Sequence, residues 1–138
     1  MTVAKPELPL YRLYVLRVAY ALIGVLQGLR TWPAILHHAH PWDFWHGIGA
    51  SFFGALTLLA LLGLRYPVRM MPLLFFEFAW KFIWVLAAYL PPYLARSLAP
   101  ELSDNFLSIF LGVIVVPLVL PWGYVWRKYV LAPGDRWR

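Results

Sequence analysis

The stretch LLFFEFAWKFIWVL, residues 73–86, is apolar and aromatic except for Glu77 and Lys81. Such a segment sits in a bilayer as a helix, because a helix satisfies its own backbone hydrogen bonds. A charged side chain near the bilayer centre costs about 2.5–3.5 kcal/mol on insertion scales, and it usually faces the interior of a helix bundle or a polar cavity. The stretch therefore predicts a membrane-spanning helix with two costly charges that face inward.

The whole chain has the composition of a membrane protein. It has 138 residues, of which 62% are hydrophobic and 13% are charged, and its mean hydropathy is +0.68. Soluble domains carry about 25% charged residues. The length predicts a single domain over residues 1–138. The chain contains no cysteine, which excludes disulfides, thiol redox chemistry and cysteine-ligated metals.

Four apolar spans are each close to the ~20 residues that a membrane-crossing helix needs. We predict helices over about residues 10–30, 44–64, 69–90 and 104–126. The chain is therefore predicted to be all-α, a membrane-embedded bundle of four transmembrane helices. Gly24 and Gly28 in the first span predict close helix packing, because small residues let two backbones approach. Pro117 and Pro121 predict a bend in the fourth span.

The basic residues are distributed unevenly between the two sides of this bundle, and the net charge is +6. Arg30 and Arg96 lie on one side, and the other side holds Lys5, Arg12, Arg17, Arg65, Arg69, Arg127, Lys128, Arg136 and Arg138. Lys and Arg concentrate in cytoplasmic loops, so both termini are predicted to be cytoplasmic. The positive net charge is explained by the attraction of these basic residues to anionic lipid head groups. The expected partners are therefore membrane lipids and not nucleic acid.

Glu77 and Lys81 are predicted to form a polar cluster with a residue of another helix. They are four positions apart, so they share a helix face and can pair. Arg17 is predicted at roughly 10 Å depth in the first helix and Glu77 at roughly 12 Å in the third, at ~1.5 Å per residue. We predict that Arg17 pairs with Glu77, and that the ligand-binding residues are Arg17, Gln27, Glu77, Trp80, Lys81 and Trp84. In the alternative, the Glu77–Lys81 pair only fixes packing and Arg17 extends to the membrane surface.

All four histidines lie in the segment TWPAILHHAHPWDFWHGIG, residues 31–49. Imidazole and carboxylate groups are ligands for zinc, copper and iron. The candidate metal ligands are His37, His38, His40, Asp43 and His46. Haem ligation by two of these histidines is a further interpretation, and it requires facing geometry. The spacing matches no defined motif such as HExxH, and Asp43 is also placed to cap the second helix.

Three stretches resemble an uncharacterised bacterial family of four-helix integral membrane proteins: RLYVLRVAYALIGVLQGLRTWP (12–33), TLLALLGLRYPVRMMPLLFFEFAWKFIW (57–84) and YVLAPGDRWR (129–138). More distantly, the layout is similar to the DoxX-like superfamily. That likeness rests on IGVLQGL (23–29) and on the Gly-rich stretch GIGASFFGALTLLALLGL (47–64), which leads through a short basic turn into the third span. The resemblance implies a multi-pass protein of the bacterial inner membrane, and it brings no set of catalytic residues.

Three functional classes follow from these observations. The first is a protein that binds or transports a lipid or apolar amphiphile through the intramembrane polar cluster. The second is a non-catalytic accessory or assembly subunit, either in a homo-oligomer or in a larger membrane complex. The third is a metal- or haem-binding membrane protein that uses a periplasmic histidine loop. No nucleophile–base arrangement favours an enzyme, and the sequence specifies no cofactor.

Overall fold

The structure, a computed structural model, describes residues 8–37 and 41–136, and every regular element among them is helical. Four helices are long and apolar enough to cross a membrane: α1 (Leu10–His37), α2 (Phe44–Arg65), α3 (Met71–Leu94) and α4 (Pro100–Val119). A short α5 follows, with an α-helical turn over Trp122–Val125 and a π-helical turn over Trp126–Leu131. The prediction of an all-α chain with four membrane-length helices is confirmed.

The helices α1 and α3 extend past their predicted ends at residues 30 and 90. Pro33 lies inside α1, and Pro91 and Pro92 lie near the end of α3. A proline removes one backbone donor and crowds the preceding turn. Membrane helices tolerate this where local π-helical adjustments pair the freed groups again, and α3 has a π-helical stretch over Val85–Tyr89 just before its prolines. The prolines therefore do not end these two helices.

The predicted fourth span, 104–126, is divided in the structure. The helix begins earlier, at Pro100, and ends at Val119, where Leu120 has an extended ψ of 130°. Pro121 has no N–H to donate to the carbonyl of Pro117, four residues before it. The indole Nε1–H of Trp122 donates to that carbonyl instead, with an N···O distance of 2.7 Å. The two prolines thus terminate the membrane helix, whereas the sequence predicted only a bend.

The order of the helices around the bundle places α1 diagonally opposite α3. The helix α1 packs along α2, α3 packs along α4, and further contacts join α2 to α3 and α1 to α4. Across the residues that the structure describes, the backbones of α1 and α3 do not approach each other, and neither do those of α2 and α4. The backbones of α1 and α3 are therefore separated across the bundle, even at equal depth.

The best-packed part of the bundle lies at one end, here named the core end. It combines the first halves of α1 and α3 with the second halves of α2 and α4. Its buried apolar residues are Leu16, Ala19, Tyr20, Leu56, Ala60, Met71, Leu73, Leu74, Val116, Leu120 and Val125. At the opposite, far end, Gly28–His37 contacts α2 only, and Val85–Leu94 contacts neither α1 nor α2. The α1–α2 and α3–α4 pairs therefore diverge toward the far end.

Two side chains of α1 bind carbonyl groups where α2 ends. Arg17 Nε donates to the carbonyl of Leu64 at 3.0 Å, and the Tyr20 hydroxyl donates to that of Pro67 at 2.8 Å. The Tyr20 ring packs on Gly63, where a Cβ would stand 2.6 Å from ring carbons. The last carbonyls of a helix have no partner within the helix. Side chains of α1 therefore supply hydrogen-bond donors to carbonyls at and just after the end of α2.

Candidate functional site

Glu77 lies in the first half of α3 and is completely buried, with 0% of its surface exposed. Its Oε2 accepts a hydrogen bond from Nζ of Lys81, one turn further along the helix, whose side chain is 14% exposed. The predicted i,i+4 pair is thus present. Each charge reduces the cost of burying the other, although such a pair rarely recovers its full desolvation cost.

Lys81 lies across the surface of α4, against Gly112. A Cβ at Gly112 would stand 2.6 Å from Cδ and 2.9 Å from Nζ of Lys81. A larger residue there would displace the lysine chain that reaches Glu77. Gly112 is therefore a site residue that the sequence reasoning missed. Its signal was a lone glycine in an apolar helix, which is too common in membrane helices to point to a site.

Two polar atoms on α3 are buried and have no hydrogen-bond partner among the described residues: Glu77 Oε1 and Trp80 Nε1. The Trp80 ring meets Phe53 of α2 edge to face, with centroids 5.3 Å apart, and Lys81 Nζ lies 5.2 Å from its centroid. Leaving a buried donor or acceptor unpaired costs about 1–3 kcal/mol. The carboxylate oxygen requires a donor and the indole N–H requires an acceptor.

The predicted pair of Arg17 and Glu77 is wrong. Glu77 Oε2 binds Lys81 and Oε1 has no partner within the described chain, while Arg17 binds the Leu64 carbonyl. Helical rise gives depth from the sequence, but it does not give the order of helices around the bundle, and α1 lies diagonally to α3. Gln27 is also on α1, and it makes no hydrogen bond to Glu77.

Trp84 lies on α3 three residues after Lys81, closer to the far end. Its ring is near that of Tyr89, with centroids 6.0 Å apart. Tyr89 in turn stacks on Phe106 of α4 at 4.0 Å. Trp84 thus belongs to the aromatic contacts that join α3 to α4, one turn away from the Glu77–Lys81 pair.

Arg17 lines an open depression at the core end, between α1 and the turn after α2. The depression has a volume of about 300 Å³ and is lined by Leu13, Arg17, Tyr66, Pro67, Val68 and Arg69. The guanidinium carbons of Arg65 and Arg69 lie 5.4 and 5.7 Å from the centroid of the Tyr66 ring. The one ion pair within residues 8–37 and 41–136 is Glu77–Lys81, so these arginines have no carboxylate partner there.

The histidine segment is described only in part, because His38 and His40 lie outside the described residues. Asp43 accepts a hydrogen bond from the backbone N–H of His46 at 2.6 Å and so caps the start of α2. The His46 ring lies near Trp42, with centroids 5.7 Å apart. No three His, Asp or Glu residues of the described chain gather as metal ligands. A metal or haem site that includes His38 or His40 stays a prediction.

Comparison with known proteins finds no match for this chain, whether among family models, curated proteins or solved structures. The resemblance to a bacterial four-helix family and to the DoxX-like superfamily therefore stays a prediction. Evidence for function comes from the geometry of the site.

Proposed function

We propose that this chain is a multi-pass protein of the bacterial inner (cytoplasmic) membrane that binds or transports a lipid or other apolar amphiphile, with both termini in the cytoplasm. The supporting observation is the pair of buried, unpartnered polar atoms, Glu77 Oε1 and Trp80 Nε1, on a helix of membrane-spanning length and hydropathy. Buried polar groups in native proteins nearly always have a partner. In this proposal, the polar head of the ligand is that partner.

The chemistry of these two unpartnered atoms favours a hydroxyl group as the ligand head. A hydroxyl donates one hydrogen bond and accepts others, so it pairs with a carboxylate oxygen and with an indole N–H. Glu77 and Lys81 together carry no net charge, and an uncharged head group costs far less to bring beside them than an ion does. Phe53 and Trp80 provide aromatic surface for its apolar part. The proposed ligand class is an uncharged amphiphile with a hydroxyl head.

In this proposal, the apolar part of the ligand extends toward the far end. There the α1–α2 pair and the α3–α4 pair no longer contact each other across the bundle. A ligand tail that extends from Trp80 in this direction would lie between backbones that are not in close contact. The same divergence gives a bound amphiphile a route toward the membrane, which a transport function requires.

The test is lipid retention by a variant that changes a single donor. Trp80→Phe keeps an aromatic ring and removes only the indole N–H. Losing one hydrogen bond of about 1 kcal/mol weakens binding about fivefold. Native mass spectrometry of the protein purified in mild detergent should therefore show about fivefold less co-purified lipid for Trp80→Phe than for wild type. Trp45→Phe is the matched control, because Trp45 is 77% exposed. Equal retention by both variants, or no lipid on the wild type, contradicts the proposal.

A second candidate, a non-catalytic subunit of a homo-oligomer or larger complex, is favoured by the exposed surface of α4. Only 6% of an 18-residue apolar stretch of α4 is buried, against 28% of the corresponding stretch of α2. The exposed apolar residues of this surface are Leu107, Leu111, Ile114, Val115 and Leu118. Because the chain has no cysteine, Leu111→Cys tests the surface directly. Disulfide dimers in membranes support an oligomer, and a larger stable partner on native purification supports an accessory subunit.

A further inference from the structure

The depression at the core end is lined by two cationic side chains and by apolar residues. It is lined by Arg17 and Arg69, by Tyr66, and by the apolar residues Leu13, Pro67 and Val68. No carboxylate among residues 8–37 and 41–136 lines it. We infer that this depression binds the phosphate of an anionic membrane lipid. The site is separate from Glu77 and goes beyond the proposed function, because it uses other residues and a lipid of opposite head-group character.

Arg17 is held in place for this role by its own hydrogen bond. A guanidinium has five N–H donors in a planar fork. Arg17 uses Nε to bind the carbonyl of Leu64 at 3.0 Å, which fixes the plane of the group. Its terminal nitrogens donate to no residue of the described chain. They are therefore available for paired hydrogen bonds to phosphate oxygens, for which the guanidinium geometry is suited.

Arg69 supplies the second charge from the turn that follows α2. Its guanidinium lies 5.7 Å from the centroid of the Tyr66 ring and forms no ion pair with a described carboxylate. The depression stands between the start of α1 and this turn, where membrane-length helices end. Lipid head groups lie near the ends of membrane-spanning helices. Two cations without a carboxylate partner in the described part of the chain favour an anionic lipid over a zwitterionic one. Leu13 and Val68 suit the glycerol and first acyl carbons of that lipid.

The test measures lipid preference in purified full-length protein. Detergent-solubilised protein is titrated with phosphatidylglycerol or phosphatidylcholine, and retained lipid is counted by native mass spectrometry. At about 1 kcal/mol for each basic residue near anionic lipid, two arginines predict a preference for phosphatidylglycerol on the order of 30-fold. Arg69→Gln should reduce that preference about fivefold. Arg136→Gln is the matched control, because it removes the same charge beyond α5 and outside the depression.

The variants are chosen so that folding does not obscure the result. The Arg69 side chain makes no hydrogen bond within the described chain and lies over the Tyr66 ring of its own turn, so its replacement breaks no hydrogen bond between helices. Arg17, in contrast, also binds Leu64. Equal binding of the two lipids by wild type, or an equal loss in Arg69→Gln and Arg136→Gln, overturns the inference. Millimolar inorganic phosphate that displaces phosphatidylglycerol overturns it too, because the site would then select a free anion.

Discussion

Replacing Gly63 by alanine should destabilise the protein because the Tyr20 ring occupies the space that a methyl group needs. A Cβ at Gly63 would stand 2.6, 2.6 and 2.8 Å from three atoms of that ring. Non-bonded carbon atoms are comfortable at about 3.5–4.0 Å, so the ring must move by about 1 Å. Tyr20 has no exposed surface, and its hydroxyl is bound to the Pro67 carbonyl at 2.8 Å. The ring therefore has little freedom to move.

The expected loss combines three contributions. Overpacking a well-filled interior costs about 1–3 kcal/mol. A shift of about 1 Å also breaks the hydrogen bond from Tyr20 to Pro67, for a further ~1 kcal/mol. Alanine recovers about 1 kcal/mol over glycine through helix propensity. The net loss in free energy of unfolding is therefore roughly 1–3 kcal/mol. Gly49→Ala, on the same helix with nothing within 4 Å of its Cβ, isolates the propensity gain.

Unfolding by SDS titration from mild-detergent micelles, followed by circular dichroism, compares the two variants. Gly63→Ala should unfold at a lower SDS fraction than wild type, and Gly49→Ala at the same or a higher one. In a Tyr20→Leu background the cost of Gly63→Ala should largely disappear, because contacting residues are energetically coupled. Identical transitions for Gly63→Ala and Gly49→Ala would refute the packing described for Tyr20.

Three further predictions concern the charges and the topology. Lys81→Met leaves a buried carboxylate alone and should cost about 3–5 kcal/mol in the same unfolding assay, whereas adding Glu77→Gln should restore much of it. Additive effects would contradict the pair. Gly112→Ala should destabilise the wild type by displacing Lys81, yet cost little in the Lys81→Met background; an equal cost in both would show that the contact is unimportant. Single cysteines at Ser97 and Gly134 should react with impermeant thiol reagents from the periplasm and cytoplasm, respectively, and reversed labelling would overturn the proposed orientation.

The sequence predicted those features that depend on composition along one helix. Hydropathy located four membrane-length helices, and the spacing of Glu77 and Lys81 predicted their pairing. The sequence did not predict that α4 ends at Val119. Pro121 leaves the carbonyl of Pro117 without its helical donor, and this can either bend a helix or end it. Whether Trp122 reaches the Pro117 carbonyl depends on the path of the chain after Val119.

The sequence did not predict which helices are neighbours. Arg17 and Glu77 were paired because counting residues placed them at similar depths, whereas the bundle sets α1 diagonally to α3. Gly112 was missed for a related reason, since its importance appears only when Lys81 lies on it. The lateral order of apolar helices depends on many weak packing contacts. A spacing such as that of Gly24 and Gly28 indicates that a helix packs closely, but it does not identify the helix against which it packs.

The bonds from α1 to the end of α2 also constrain how the chain enters the membrane. The carbonyls of Leu64 and Pro67 lie where α2 ends, and leaving such a group buried without a partner costs about 1–3 kcal/mol. Arg17 and Tyr20, both on α1, remove that cost. During synthesis α1 emerges first, so its donors are already present when α2 emerges. We therefore expect α1 and α2 to insert together as a helical hairpin, with α3 and α4 added to it afterwards.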